Sequence, residues 1–148
     1  MIRKILLIIT ILLTSCGYQP LYQDFKLKLE YFELQAQGDQ GINNKIINTL
    51  GVKVNNTDKS LNNLLIKSSF YTQETSKNLS GQVSTYRSFL EVKVSIIKNN
   101  KILKEQNFIE TFSYDNKESK FLLSEYQKDL KQIMENNIIR KIRYFLGS

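Results

Sequence analysis

The strictest constraint in this chain is a change of hydrophobic period. Tyr86, Ser88, Leu90, Val92, Val94 and Ile96 fall on one face of an extended segment, with Arg87, Glu91, Lys93 and Ser95 on the other beside Phe89. Strict alternation of this kind is the mark of a half-buried β-strand. From Asp115 onward the spacing becomes helical, and Leu123, Tyr126, Leu130, Ile133, Met134, Ile138, Ile142 and Phe145 form one apolar stripe. Asp115 and Glu118, three apart, resemble an N-terminal cap for this helix. Arg140, Lys141 and Arg143 fall in its last turns, where positive charge complements the helix dipole.

The remaining elements follow from the same reasoning. Phe25 to Tyr31 alternates with period two, and the slip at Tyr31-Phe32 fits a bulge. Gly38, Asp39 and Gly41 break that strand, and Ile42, Ile46 and Leu50 then recur every four residues as the stripe of a short helix ended by Gly51. Val52-Lys53-Val54 reads as a small extended piece before a loop from Asn55 to Asn63. A strand over Leu64 to Thr72 precedes a polar loop, Gln73 to Gln82. Asn99-Asn100 tolerates the positive φ of a tight reversal, giving a hairpin into a strand from about Ile102 to Tyr114, on which Phe108, Phe112 and Tyr114 share a face. The order β-α-β-β-β-α predicts an α+β two-layer sandwich, about four strands covered on one face by two helices. The other face is left for water or a partner.

The N-terminus carries a separate signal. Arg3 and Lys4 precede an apolar run from Ile5 to Leu13, and Leu13-Thr14-Ser15 leads into Cys16, the sole cysteine. The run is the length of a signal-peptide core and too short to span a bilayer. Small residues before the cysteine suit a lipoprotein signal peptidase, and the thiol of Cys16 is the group that receives diacylglycerol. The expected organisation is a signal peptide over residues 1–15, a lipidated tether over 16–24 kept extended by Pro20, and one α+β domain over 25–148. Removing the first 15 of 148 residues leaves chain enough for one domain. Loss of Arg3 and Lys4 lowers the formal charge from +7 to +5.

Composition then narrows the chemistry. There is no histidine, and acylation of Cys16 removes the only thiol. The commonest neutral-pH base, zinc ligand and thiolate nucleophile are therefore missing, so no catalytic residue, metal site or cofactor beyond the covalent lipid is expected. Glu30, Glu33, Glu74, Glu91, Glu105 and Glu110 lie beside lysines in alternating runs, as acids on solvated strand faces do. Lysines account for 17 of the 21 basic residues. Arginine is the better reader of phosphates and bases, so the positive balance is discounted as a sign of nucleic acid. It remains compatible with an anionic glycolipid or a membrane face.

Three segments together resemble the lipopolysaccharide-assembly lipoprotein LptE family, in its shorter alphaproteobacterial form. Cys16-Gly17-Tyr18-Gln19-Pro20-Leu21-Tyr22 is similar to that family's cysteine-glycine-aromatic-x-proline-leucine-tyrosine opening. Gln82 to Ile97 resembles its long central strand. Phe112 to Asn116 followed by Ser119 to Arg143 resembles its aromatic strand end and acidic-to-basic terminal helix, with Ile139-Arg140-Lys141-Ile142-Arg143 near the family's ending. The resemblance implies an outer-membrane lipoprotein on the periplasmic side, anchored by its lipid. It further implies a plug and assembly partner for the LptD β-barrel, which inserts lipopolysaccharide into the outer leaflet. Gly17 after the cysteine is compatible with release toward the outer membrane, and two or three acyl chains anchor stably where one is marginal. Basic residues assigned to lipopolysaccharide in the family are not matched here, since Leu79 and Leu123 stand at about those places. Lys77, Arg87 and Lys120 are the candidates for lipopolysaccharide contact, from charge and proximity to loops. The competing readings are an independent envelope lipoprotein that binds a small ligand or scaffolds another outer-membrane complex, and a hydrolase using carboxylates such as Glu91 and Glu110.

Overall fold

The computed structural model describes residues 29–147. The elements are β1 (Glu30–Tyr31), β2 (Glu33–Gly38), α1 (Gln40–Leu50), β3 (Lys53–Val54), β4 (Asn63–Lys77), β5 (Val83–Lys98), β6 (Lys101–Asp115) and α2 (Lys120–Gly147). Four strands form one mixed sheet in the order β2-β4-β5-β6, with β2 parallel to β4 and the others antiparallel. A separate two-stranded parallel sheet joins β1 to β3. Both helices lie on one face, so the α+β two-layer architecture expected from the periodicity is the architecture of the protein. The signal peptide, Cys16 and the tether lie outside the described residues, as do the first four residues of the Phe25–Tyr31 alternation.

The core is the meeting of three stripes. Leu64 and Ile66 of β4, Leu90, Val92 and Val94 of β5 and Phe108 of β6 face Leu130, Met134, Ile138, Ile142 and Phe145 of α2. Ile42, Ile46 and Leu50 of α1 complete the layer, and Gly51 takes the left-handed conformation (φ +67°) that closes α1. At the start of α1, the Asp39 carboxylate accepts a hydrogen bond from the Ile42 backbone N–H at 3.0 Å and pairs with Lys131 of α2 at 3.2 Å. The Ile42 N–H above all, and then Lys131, hold this carboxyl below its ordinary range. Lys45 and Glu135, 2.6 Å apart, form a second ion pair between the helices. Burial pushes the Tyr31 hydroxyl in the opposite direction, above its ordinary value.

Several local expectations are corrected. At Tyr31-Phe32 the chain leaves the small sheet for the large one instead of bulging, with the Phe32 N–H donating to the Asn62 carbonyl. The segment expected to be a loop from Gln73 to Gln82 is strand as far as Lys77, because β5 continues opposite it and supplies hydrogen-bond partners. The cap of α2 is Ser119, whose hydroxyl accepts from the Leu122 N–H at 3.2 Å, while Asp115 is the last residue of β6. Ile133 points outward at 55% exposure, and Ile139, absent from the expected stripe, is buried. The hairpin at Asn99-Asn100 is as expected, with φ of +50° and +60°.

Candidate functional site

The β4–β5 hairpin runs on past the end of β2 at Gly38 and the start of α1, with β6 still alongside β5 as far as Asp115 opposite Thr85. Pairing of β2 with β4 ends at Gly38 opposite Ser68. From Ser69 to Lys77 the outer edge of β4 therefore has no strand neighbour among the described residues, while β5 continues alongside it. Beyond the apolar pairs Phe70–Leu90 and Tyr71–Phe89, a ladder of hydroxyls follows. Thr72 meets Ser88 at 2.8 Å, and Thr85 meets both Thr75 and Ser76 at 2.7 Å. Such cross-strand hydroxyl pairs help hold the two strands together.

The tip is built by Asn78. Its side-chain oxygen accepts from the backbone N–H groups of Ser80 (3.1 Å) and Gln82 (2.9 Å) and from the Ser80 hydroxyl (2.8 Å). Gly81 supplies the positive φ of +80° that the reversal needs. These bonds fix a turn that presents Leu79 to solvent with no part of its side chain covered. Leu79 is thus an apolar side chain displayed on an otherwise polar turn.

The same end of the molecule receives the β6–α2 junction. The Asn116 backbone N–H donates to the Ser84 carbonyl and its side-chain amide to the Val83 carbonyl, both at 2.8 Å. Helix α2 starts near the tip of the hairpin, with Phe121 at 69% and Leu122 at 49% exposure. Beneath them lies an aromatic, hydroxyl-rich layer. Tyr114 stacks with Tyr86 (5.8 Å between ring centroids), tilts against Tyr126 (5.4 Å) and accepts at its hydroxyl from the Gln127 amide at 2.9 Å. Lys117 lies 4.3 Å from the centre of the Tyr126 ring.

Two of the three basic candidates stand at this end. Lys77 ends β4, its ammonium 4.0 Å from Glu74, and Lys120 opens α2, joined by Lys117. Arg87 stands apart on the outer sheet face, where its Nε donates to the Ser113 hydroxyl at 2.9 Å. Sequence reasoning missed the exposed trio Leu79, Phe121 and Leu122 as a feature of one end. The available signal was a leucine in a polar run and two apolar residues ahead of the helical stripe.

The uncovered sheet face is mixed in character. Tyr71 stacks on Phe89 with centroids 4.9 Å apart, and Ile109 lies beside them at 51% exposure. Farther along, Lys93 pairs with Glu105 at 2.7 Å, and that contact followed by the Ser95 hydroxyl keeps the Glu105 carboxyl below its ordinary range. An open depression on this face is lined by Lys67, Ser69, Glu91, Lys93 and Asn107, and another beside α2 by Glu110, Arg140, Lys141 and Tyr144. Glu91 faces Ile109 across the strands and Glu110 faces Leu90, so the two carboxylates occupy opposite sheet faces. They do not converge on a common substrate, and Glu110 is tied to Lys141. Among the described residues no cluster of acids with histidine or cysteine is arranged to hold a metal ion. No helix among them is long and apolar enough to cross a membrane.

No protein-family model matches the chain, and no curated protein matches it. Solved structures do. The fold is similar to rare lipoprotein B from Shewanella oneidensis, at 14% identity and a TM-score of 0.58 over 74% of this chain and 89% of that one. It is similar also to an uncharacterised lipoprotein B from Nitrosomonas europaea, at 16% identity and a TM-score of 0.55 over 80% and 87% of the two chains. A minor lipoprotein from Acinetobacter baumannii matches at 15% identity and a TM-score of 0.54 over 79% and 92%. At these identities the likeness establishes a shared fold, one found in several bacterial lipoproteins.

Proposed function

We propose that this chain is an outer-membrane lipoprotein of the LptE type. In this reading it is held on the periplasmic side by lipid on Cys16 and acts without catalysis as the plug and assembly partner of an LptD-like β-barrel that inserts lipopolysaccharide. The observation that carries the reading is the β4–β5 hairpin, which runs on past β2 and α1 to a hydrogen-bonded turn that displays Leu79. A long, hydroxyl-faced arm is suited to the wet interior of a barrel, where hydrogen bonds to polar lumen residues replace those to water. The exposed Leu79, Phe121 and Leu122, with Lys77, Lys117 and Lys120 at the same end, match an amphiphile that has acyl chains and phosphates. Lys77 and Lys120 are the lipopolysaccharide-contact residues of this proposal, and Arg87 belongs to the outer sheet face. The Cys16 signal and the fold shared with bacterial lipoproteins support the anchor.

Anchoring is tested by Cys16→Ser. The variant is expected to leave the membrane fraction for the soluble one, while the circular dichroism of the domain stays that of the native chain. Membrane fractionation that persists unchanged in the variant would contradict lipid attachment at this thiol.

A further inference from the structure

The end of the fold opposite the projecting hairpin has a surface of its own. Glu33 pairs with Asn63 and Asn63 with Ile97, so the first described residues enter the sheet beside the β5–β6 turn. That turn is closed by Lys98 opposite Lys101. Next to it the register slips: Ile97 pairs with Ile102 and Ile96 with Lys104, which leaves Leu103 as an extra residue with no cross-strand partner. Ile102 and Leu103 are 60% and 57% exposed. Bulges and lysines on an edge strand commonly guard against edge pairing, but here the bulge turns two adjacent aliphatic side chains outward instead of a charge. Lys98 also donates to the Ser60 carbonyl at 3.0 Å, which holds the loop containing Lys59 at this end. Lys53 is hydrogen-bonded through its backbone to Leu29, where the described chain begins. The acids nearby are Glu30, cross-strand from Lys53, Glu33, which accepts from Gln35 and Asn63, and Asp58, which accepts from Ser60.

We infer that the β5–β6 turn, Lys98 to Leu103 with Lys53 and Lys59, docks on an anionic phospholipid bilayer. Ile102 and Leu103 enter the headgroup region, and the lysines meet phosphates around them. The inference rests on the anchor reading for its geometry. The thirteen residues from Cys16 to Leu29 span at most about 45 Å when extended, and they leave from this end. The sixteen residues of β5 carry the opposite tip roughly 50 Å farther away. A tethered domain therefore offers this turn to the leaflet that holds its lipid, and its far hairpin to whatever stands above. The contact belongs to the free lipoprotein, before a barrel takes it up.

The chain contains no tryptophan, so a single introduced one reports without background. Leu103→Trp and Leu79→Trp in the full chain are compared with phosphatidylcholine vesicles made with and without phosphatidylglycerol, using brominated lipid as quencher. Trp emission at position 103 is expected to shift to the blue and be quenched on the anionic vesicles, with position 79 unaffected. Adding Lys98→Glu and Lys101→Glu is expected to weaken that partitioning at least about tenfold. Emission at position 103 that is the same with and without vesicles, a shift indifferent to the charge reversals, or a shift at position 79 instead would overturn the inference. Intact mass reports the state of Cys16 separately. An unlipidated chain whose position 103 still responds supports docking and contradicts the anchor, whereas a lipidated chain with a silent position 103 contradicts docking alone.

Discussion

Replacing Gly38 with alanine is expected to cost about 3 kcal/mol or more of folding stability. Two effects act together at this residue. Its φ of +91° lies where an L side chain is strained, and an added Cβ would fall 1.8 Å from the Ser68 carbonyl oxygen and 2.9 Å from its carbon. That carbonyl belongs to the backbone of β4 and already accepts from the Asp39 N–H at 3.1 Å, so it cannot turn aside. Relief requires β2 to separate from β4 where α1 begins. It would also disturb Asn43, which is buried with its amide on the Gln37 carbonyl and its oxygen bonded to the Ser68 hydroxyl. Gly81→Ala is the control: its φ is +80°, but nothing stands within 4 Å of the added carbon, so only the backbone strain of about 1–2 kcal/mol remains. Urea unfolding followed by circular dichroism measures both. Equal losses would mean that the close approach of β2 to Ser68 is not what Gly38 permits.

The second large effect separates two isoleucines on one helix. Ile142→Ala is expected to cost about 2–5 kcal/mol, because a fully buried side chain is lost from between α2 and the sheet and leaves a cavity. Ile133→Ala, at a position 55% exposed, is expected to stay within about 0.5 kcal/mol of the native chain. The same unfolding measurement decides, and comparable losses at the two sites would contradict the packing described here.

That contrast shows where a one-dimensional reading stops. Four-residue spacing places Leu130, Met134, Ile138 and Ile142 on one line, and all four are buried. At about 100° per residue, Ile133 and Ile139 fall on opposite flanks of that line. Which flank is covered depends on where α1 lies, and α1 lies on the side of Lys131 and Glu135, its ion-pair partners. No periodicity within α2 contains that information. The strand boundary at Lys77 failed for a related reason. Gln73 to Lys77 is polar because no helix covers it, and it is strand because β5 lies alongside. Polarity in this segment reports exposure, and an exposed strand is as polar as a loop.

The candidate site was legible to a smaller degree. Charge and loop proximity found Lys77 and Lys120, which do share an end, but they gave Arg87 the same weight although it hydrogen-bonds across the open sheet face. The grouping of Leu79, Phe121 and Leu122 comes from β6 returning its end to the tip of the β4–β5 hairpin, where Asn116 fastens it to Val83 and Ser84. Those residues are some forty positions apart in sequence, and only the fold relates them.

The measurement that bears most directly on the central claim is crosslinking in living cells from a photoreactive residue at position 79. Capture of a large outer-membrane β-barrel from that position, and none from an equivalent residue at 133 on the exposed flank of α2, is the predicted result. Robust crosslinking at position 79 to periplasmic or inner-membrane proteins with no barrel among them would contradict a role as the plug of such a barrel.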